Sequence, residues 1–340
     1  MIKIAQIGVG YWGPNILRNF YDIDNVEVKK VIDKNPDRQK YVKQKYRTIE
    51  TGEDIDEIVG DKEINAVIVS TPADLHYEMV KKVLLSNKHC FVEKPLALKT
   101  TEARELVKIA EEKGLVLMVG HVFLYNAAVN DLKKRVSSGE LGKIYYIYSQ
   151  RLNLGRVRSN INALWNFAPH DVSIVLYLLE KMPVTVSASG MSFIQEGIED
   201  VVFMNMKFDN GTTAHFHVSW LDPNKTRTMI IIGSKKMVIY NDISDYKIQI
   251  FDKGIDIRHK NQYMGEFDNF GKFQLIKRAG DIYIPKIDYI EPLKVEAEHF
   301  IDCIKNGKKP RSDGESGLKV TQIIEAAMKS LNNKSVEVKI

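Results

Sequence analysis

Six residues near the start of the chain, Gly8-Val9-Gly10-Tyr11-Trp12-Gly13, constrain what it can fold into more than any others. They follow the apolar, β-branched run from Lys3 to Ile7 and precede a segment with Pro14 near its first turn, so they read as a glycine turn carrying a strand into a helix. The spacing has a physical meaning. Gly8 permits a tight turn, Gly10 lets the backbone approach an anionic pyrophosphate, and Gly13 lets helix and strand pack closely, with the helix N-terminus holding the phosphate charge. Asp33 ends the next strand and lies 20 residues beyond Gly13, where an acid accepts hydrogen bonds from the adenosine ribose. A carboxylate there repels a 2′-phosphate and favours NAD over NADP, while Lys34 and Arg38 nearby work the other way. A capping role for Asp33 before Asn35-Pro36 is compatible with this one.

From residue 3 to about 120, short β-branched runs alternate with amphipathic stretches, the pattern of successive βα units in a parallel sheet. Strands are expected at Lys3 to Ile7, Val26 to Ile32, Ala66 to Ser70, Cys90 to Val92 and Val116 to Val119. A helix from Thr101 to Lys113 stops at Gly114. Beyond about residue 122 the pattern becomes one helix, Phe123 to Ser138, and then longer strands in succession: Ile144 to Asn153, Val184 to Met191, Val201 to Phe208, Thr212 to Ser219, Thr228 to Gly233 and Met237 to Tyr240. Asp209-Asn210-Gly211 marks a hairpin. Two helices, Lys294 to Asn306 and Gly317 to Leu331, close the chain. The expectation is an α/β Rossmann domain over 1–122 and an α+β domain over 123–340, built on a large, open, mostly antiparallel sheet for substrate binding and oligomerisation. A chain of 340 residues is long enough for two cores.

A net charge of +5, from 49 basic and 44 acidic residues without a long basic run, gives no reason to expect nucleic acid as a partner. Cys90 and Cys303 stand far apart, outside any disulfide framework or zinc-ligand spacing, which fits a reducing cytoplasm. His215 and His217 share a strand face without carboxylate or cysteine ligands at suitable spacing, so no metal is expected. Neither a secretory leader nor a run of roughly 18–20 apolar residues suited to a membrane span is recognised.

After one strand comes Ser70-Thr71-Pro72-Ala73 with His76, and after the next, Phe91-Val92-Glu93-Lys94-Pro95. With the glycine turn, these segments resemble the glucose-fructose oxidoreductase, inositol dehydrogenase and rhizopine catabolism family along essentially the whole chain. Residues 10–15, Asn166-Phe167-Ala168-Pro169-His170-Asp171 and Lys225-Thr226-Arg227 are most similar to the branch that oxidises UDP-N-acetylglucosaminuronic acid at C3. The resemblance implies NAD as cofactor, held by Gly8, Gly10, Tyr11, Trp12, Gly13 and Asp33 and, nearer the nicotinamide, by Thr71, Pro72, His76, Glu93 and Lys94. It implies a UDP-sugar substrate held by Lys94, Tyr125, Asn153, Arg156, Arg158, Asn166, His170 and Arg227. It further implies a homodimer or homotetramer, and 2-oxoglutarate as a second acceptor in some members.

Lys94 ends a central parallel strand, where ligands bind in such sheets, and Pro95 biases its backbone towards extended geometry. An ammonium there can stabilise negative charge developing on a hydroxyl oxygen as hydride leaves carbon. Taken alone, Glu-Lys-Pro reads as a solvated strand end. His170 opens the apolar run Val172 to Leu179, so it is expected at a helix N-terminus, which would keep it neutral and able to accept the hydroxyl proton. Asp171 reads as a helix-start residue or an orienter of His170. Asn166 stands where many relatives carry aspartate. Arg151, Arg156 and Arg158 read equally as an anion clamp or a solvated loop face. The functions in view are the UDP-uronate dehydrogenase, another sugar or cyclitol dehydrogenase, and a non-catalytic cofactor-binding sensor.

Overall fold

The computed structural model describes residues 1–155, 157–159, 161–255 and 277–340, and the chain divides into two compact units. The first comprises residues 1–126 and 290–325. Its centre is a six-stranded sheet, β1 Ile2–Ile7, β2 Val26–Ile32, β3 Glu50–Gly52, β4 Ala66–Val69, β5 His89–Glu93 and β6 Leu117–Gly120, in the order β3-β2-β1-β4-β5-β6, with every pairing parallel. All four residues of β4 are buried, as a parallel strand covered on both faces requires. Helices α1 Gly13–Tyr21, α2 Pro36–Lys45, α3 Asp56–Val59, α4 His76–Leu85 and α5 Thr100–Glu112 join the strands. Gly114, at φ +63°, ends α5 as expected.

The boundary expected at residue 122 does not describe this unit. Val122–Tyr125 is a short 3₁₀ turn, Asn126 is extended, and the next helix, α6, begins only at Ala127 and runs to Ser137. The chain then returns near its end to complete the first unit. Pro292–Asn306 forms α8, which packs on α1, and Gly314–Asn332 forms α9, counted with this unit up to Glu325. Phe300 of α8 meets Phe20 and Phe91 edge-on, at centroid distances of 6.0 and 5.8 Å, and Arg18 forks onto the Glu291 carboxylate at 2.5 and 3.2 Å. The first unit therefore needs the C-terminal segment to cover an apolar face that periodicity within residues 1–122 leaves unassigned.

The second unit, residues 127–289 and 326–340, carries a nine-stranded sheet. Its strands are β7 Ile144–Leu152, β8 Thr185–Met191, β9 Val201–Lys207, β10 Thr213–Ser219, β11 Thr226–Gly233, β12 Met237–Asn241, β13 Ile248–Ile255, β14 Lys277–Tyr283 and β15 Val338–Lys339. The order is β14-β13-β12-β11-β7-β10-β9-β8-β15; β7 and β10 run parallel and the other neighbours antiparallel. Asp209-Asn210-Gly211 makes the β9–β10 turn, with Gly211 at φ +83°. Helix α7, Ala163–Leu179, packs against β7, β9 and β10, whose inward residues include Ile147, Met204, Phe216 and Val218. On the alternate positions of those strands, Phe203 stacks between His217 and His215 at 4.4 and 6.3 Å. Among the described residues no helix is long and apolar enough to cross a membrane.

Two sequence expectations about α7 are corrected. Asn162 caps it, its side chain accepting from Trp165 N at 3.1 Å, so Pro169 lies inside the helix and His170 in its middle rather than at its N-terminus. The helix-start argument for a neutral His170 therefore lapses. Asp171 is neither a cap nor a partner aimed at its neighbour: Arg151 of β7 donates Nε and Nη2 to its two oxygens at 2.9 and 2.7 Å, with both side chains 5% exposed. Burial works against the guanidinium charge, and the Asp171 charge and hydrogen bonds more than offset it, so the net direction for Arg151 is upward. Arg151 is consumed inside the unit and is no part of an anion clamp.

Removing one partner of a buried pair strands the other charge, at a cost of about 3–5 kcal/mol, whereas an apolar replacement of both is far milder. Arg151→Met should therefore lose stability on that scale in urea unfolding followed by the fluorescence of buried Trp165 and Trp220. The double variant with Asp171→Leu should recover much of the loss. A single variant as stable as the parent would show that the pair holds nothing together.

Candidate functional site

Strand β1 pairs β2 on one side and β4 on the other, so the chain turns opposite ways at their ends and opens a crevice where ligands bind in such sheets. The glycine turn lies there. Gly8 has φ +90°, and a Cβ on it would sit 2.8 Å from the Ser70 carbonyl oxygen; a Cβ on Gly13 would sit 2.7 Å from that of Gly8. A Cβ on Gly10 would meet nothing within 4 Å, so the turn has open space on the side where a pyrophosphate would approach. Trp12 precedes α1 without a side-chain cap, leaving first-turn N–H groups for an anion. Asp33 accepts from Val9 N at 2.7 Å through Oδ2 and from Asn35 N at 2.9 Å through Oδ1. The ribose-type acid is thus tied directly to the phosphate turn and also caps the segment after β2. These features fit NAD. Tyr11 and Trp12 are exposed beside them.

At the end of β5, Glu93 and Lys94 form the second part of the site. Lys94 N donates to Glu93 Oε2 at 3.2 Å, and the Trp12 side chain also bonds the carboxylate. Burial raises the Glu93 carboxyl from the ordinary 4.5 to about 7, against the opposing charge of Lys94 and those hydrogen bonds. His76 is buried, its Nδ1 2.6 Å from the Pro95 carbonyl oxygen and its Nε2 3.0 Å from that of Thr71. Its ring braces the Thr71-Pro72 segment against Lys94-Pro95, and burial first, then Lys94, lowers its pKa. Thr71 Oγ1 is buried without a hydrogen-bond partner among the described residues.

In the second unit, strand register gathers three connections at one end of the sheet. Leu152 pairs Ser219 and Thr226, and Ser219 and Met191 both pair Val201. Residues 153–162, 192–200 and 220–225 therefore leave from the same end, where α7 begins. Asn166 and His170 are partly exposed and one helical turn apart on α7, flanked by buried Trp165, Ala168, Pro169 and Asp171. Asn153 and Arg158 lie in the first connection, Arg158 exposed, and Arg227 follows the third, ion-paired to Asp242 at 3.4 Å. Arg156 lies outside the described residues. Tyr125 belongs to the first unit and is buried there, its hydroxyl 3.0 Å from Ser312 Oγ and the Arg311 guanidinium 5.0 Å from its ring centre.

Two polar residues of this site, Gln6 and Glu296, escaped sequence reasoning, and a third, His121, reads from sequence as either a domain-junction or a pocket residue. Gln6 sits within apolar β1, and its amide nitrogen reaches the Gly8 and Gly13 carbonyls at 2.9 and 3.0 Å. His121, directly after β6, is buried with no partner for either ring nitrogen among the described residues; burial and the Lys94 charge push its pKa down to about 3. Glu296 of α8 is fully buried, neither oxygen has a partner among the described residues, and burial followed by the nearby Glu93 charge holds its carboxyl well above the ordinary range. The signal for Glu296 was a lone acid between Leu293 and Phe300 on an apolar helical face, 203 positions from the residue it influences.

A carboxyl raised on folding contributes stability at low pH that is lost as pH rises from its unfolded value through its folded one. For Glu93 that window runs from 4.5 to about 7. Glu93→Gln removes the term. In melts of the cofactor-free protein, the variant should gain on the parent as pH rises through the window, with a steepest slope of about 1.4 kcal/mol per pH unit. Parallel curves would deny Glu93 its raised pKa.

Comparison with known proteins gives a consistent result. The NAD-binding Rossmann-fold model of the GFO/IDH/MocA oxidoreductase family matches residues 2–121, and the GFO/IDH/MocA C-terminal domain matches residues 129–239. The chain is 28% identical to 2,7-anhydro-N-acetylneuraminate hydratase of Escherichia coli, over 63% of this chain and 60% of that protein. It is 25% identical to scyllo-inositol 2-dehydrogenase (NAD(+)) of Bacillus subtilis, over 91% and 88% of the two chains. It is 27% identical to UDP-N-acetylglucosamine 3-dehydrogenase of Acidithiobacillus ferrooxidans, over 74% and 78%. The solved structure of that last protein shares the fold, with a TM-score of 0.80 at 22% identity over 98% of each chain. Matched in each of its two units, the chain belongs to the GFO/IDH/MocA oxidoreductase family, with an NAD-binding Rossmann fold.

Proposed function

We propose that this protein is an NAD-dependent dehydrogenase that oxidises the C3 hydroxyl of UDP-N-acetylglucosaminuronic acid to the 3-keto sugar, in nucleotide-sugar biosynthesis for surface polysaccharide. The observation that carries the reading is a complete set of chemical parts: a glycine turn closed by Asp33, a lysine ending β5, and Asn166 and His170 one turn apart on α7. When bound, NAD supplies the hydride acceptor. His170 takes the hydroxyl proton, Lys94 stabilises the negative charge gathering on oxygen, and Asn166 hydrogen-bonds the sugar. The alcohol carbon gives up a hydride and the oxygen a proton, so a carbonyl forms with the balance closed. A nucleotide-linked substrate is supported by similarity to a UDP-N-acetylglucosamine 3-dehydrogenase and by the segments 10–15, 166–171 and 225–227. The second reading is a sugar or cyclitol dehydrogenase with an unlinked substrate, favoured by the longer match to scyllo-inositol 2-dehydrogenase. The open face of the nine-stranded sheet serves a homodimer or homotetramer in either reading.

Because Asp33 is tied to the phosphate turn, NAD should bind more tightly than NADP, and Asp33→Ala should narrow the difference in a titration. Equal affinities in the unaltered protein would remove Asp33 from this role.

Lys94→Ala and His170→Ala should each lower kcat by about 10²- to 10⁴-fold while leaving NAD affinity largely intact. Turnover is measured by cofactor reduction and, because tightly held NAD would need a second acceptor, also with 2-oxoglutarate. UDP-N-acetylglucosaminuronic acid should be oxidised in preference to UDP-N-acetylglucosamine. Faster oxidation of free inositol or a free hexose under both conditions would transfer the assignment to the second reading.

A further inference from the structure

In the second unit, residues 192–200 form a tight turn joining β8 to β9, and large apolar side chains stand out from it. Phe193 is 65% exposed and Ile194 60%, with Leu154 of the neighbouring connection at 65%. Scattered exposed apolar residues are ordinary on a protein surface. This pair stands on a turn whose backbone is held in place by a fully buried carboxylate. Asp200 Oδ2 accepts from Phe193 N at 2.7 Å and from Ile194 N at 2.8 Å, and Asp200 N donates to the Met191 carbonyl at 2.9 Å. The turn is also fastened to the start of α7. Glu199 O accepts from Ala163 N at 2.9 Å, Glu199 Oε2 accepts from the Asn162 amide at 2.6 Å, and Gln195 Nε2 donates to the Arg158 carbonyl at 3.1 Å. An exposed aromatic side chain on a fastened turn is thereby presented at the sheet end from which the helix carrying Asn166 and His170 starts. Exposed Arg158 and Lys225 belong to connections leaving that same end.

We propose that this turn is the seat for the nucleobase of a nucleotide-linked substrate, with the base stacked on Phe193, Ile194 and Leu154 supporting the apolar side, and Arg158 and Lys225 facing the diphosphate. The inference rests on the nucleotide-sugar reading above and adds a site to it. Charge complementarity selects this occupant: a flat π-face joined to two phosphates matches an exposed aromatic side chain and exposed cations carried on connections that leave the same sheet end, whereas an unlinked sugar or cyclitol would leave both unused. Stacking tolerates any base, so the turn registers that a nucleobase is present rather than which one.

The test uses the full-length protein and UDP as the probe, by calorimetry, together with steady-state kinetics on the UDP-uronate. Phe193→Ala should weaken UDP binding about tenfold or more, the scale of a lost base–aromatic stack, and raise KM for the UDP-uronate with kcat held. Phe193→Tyr should retain both, and NAD affinity should not change in either variant. Unchanged UDP affinity in Phe193→Ala, with the parent still oxidising UDP-uronate, would overturn the seat and leave the dehydrogenase reading standing. A parent that binds no UDP would overturn the seat and the nucleotide-linked substrate together. A shift in oligomeric state of Phe193→Ala without loss of UDP affinity would assign the turn to contact with a second copy and overturn the proposal.

Discussion

Gln6 is fully buried in β1, and its two amide hydrogens are shared among the carbonyls of Gly8 and Gly13 and the hydroxyl of Ser70, which itself donates to Gly8. The consequences run outward from that knot. It closes the glycine turn on itself, holds β1 and β4 at the separation where no side chain fits at Gly8, and fixes the start of α1. With the turn so fixed, Val9 N is aimed at Asp33, and the acid that sorts one cofactor from another is positioned by the same loop that receives the phosphates. An amide left without those acceptors would be a buried polar group with no compensation, so the turn and the glutamine stabilise each other.

The two units manage buried charge in contrasting ways. In the second, Arg151 and Asp171 neutralise one another through two short hydrogen bonds, and the helix bearing His170 is anchored to the sheet as a result. In the first, burial outweighs the Lys94 charge and the hydrogen bonds at Glu93, and Glu296 has no hydrogen-bond partner among the described residues, so both carboxyls shift towards the neutral form. Burial, with the Lys94 charge adding to it, depresses His76 and His121, so proton affinities around the end of β5 are moved in both directions. Divergent proton affinities of this kind are what acid–base sites use to assign their roles.

Much of this was legible from residue order because it depends on local rules. The parallel strands were visible as short apolar runs, the β9–β10 turn as Asp-Asn-Gly, and the phosphate turn as glycines between a strand and a helix. Three classes of feature were not. β3 has only three residues, Glu-Thr-Gly, too few to show a period. β13 and β14 lie beyond the last clear alternation, in a stretch where charged residues interrupt the apolar ones. The apolar run Val172 to Leu179 read as a helix opening at His170, yet the Asn162 cap places His170 well inside α7. The partners of Arg151, Gln6 and Glu296 are set by tertiary contact, and no spacing rule reaches Glu296 from Glu93.

The return of the chain to its first unit bears on how the molecule is made. The strands of the Rossmann sheet leave the ribosome first, but Phe300 and Glu291, which cover Phe20 and Phe91 and tie down Arg18, emerge only after the whole of residues 127–289. At 5–20 residues per second, that is a delay of roughly 8–30 s. During it the nascent first unit carries an uncovered aromatic face while β7–β14 of the second unit are being made. Cotranslational folding of this protein therefore cannot proceed as two beads closing in order along the chain; the earlier half stays open, and in need of protection from premature association, until the last helices arrive.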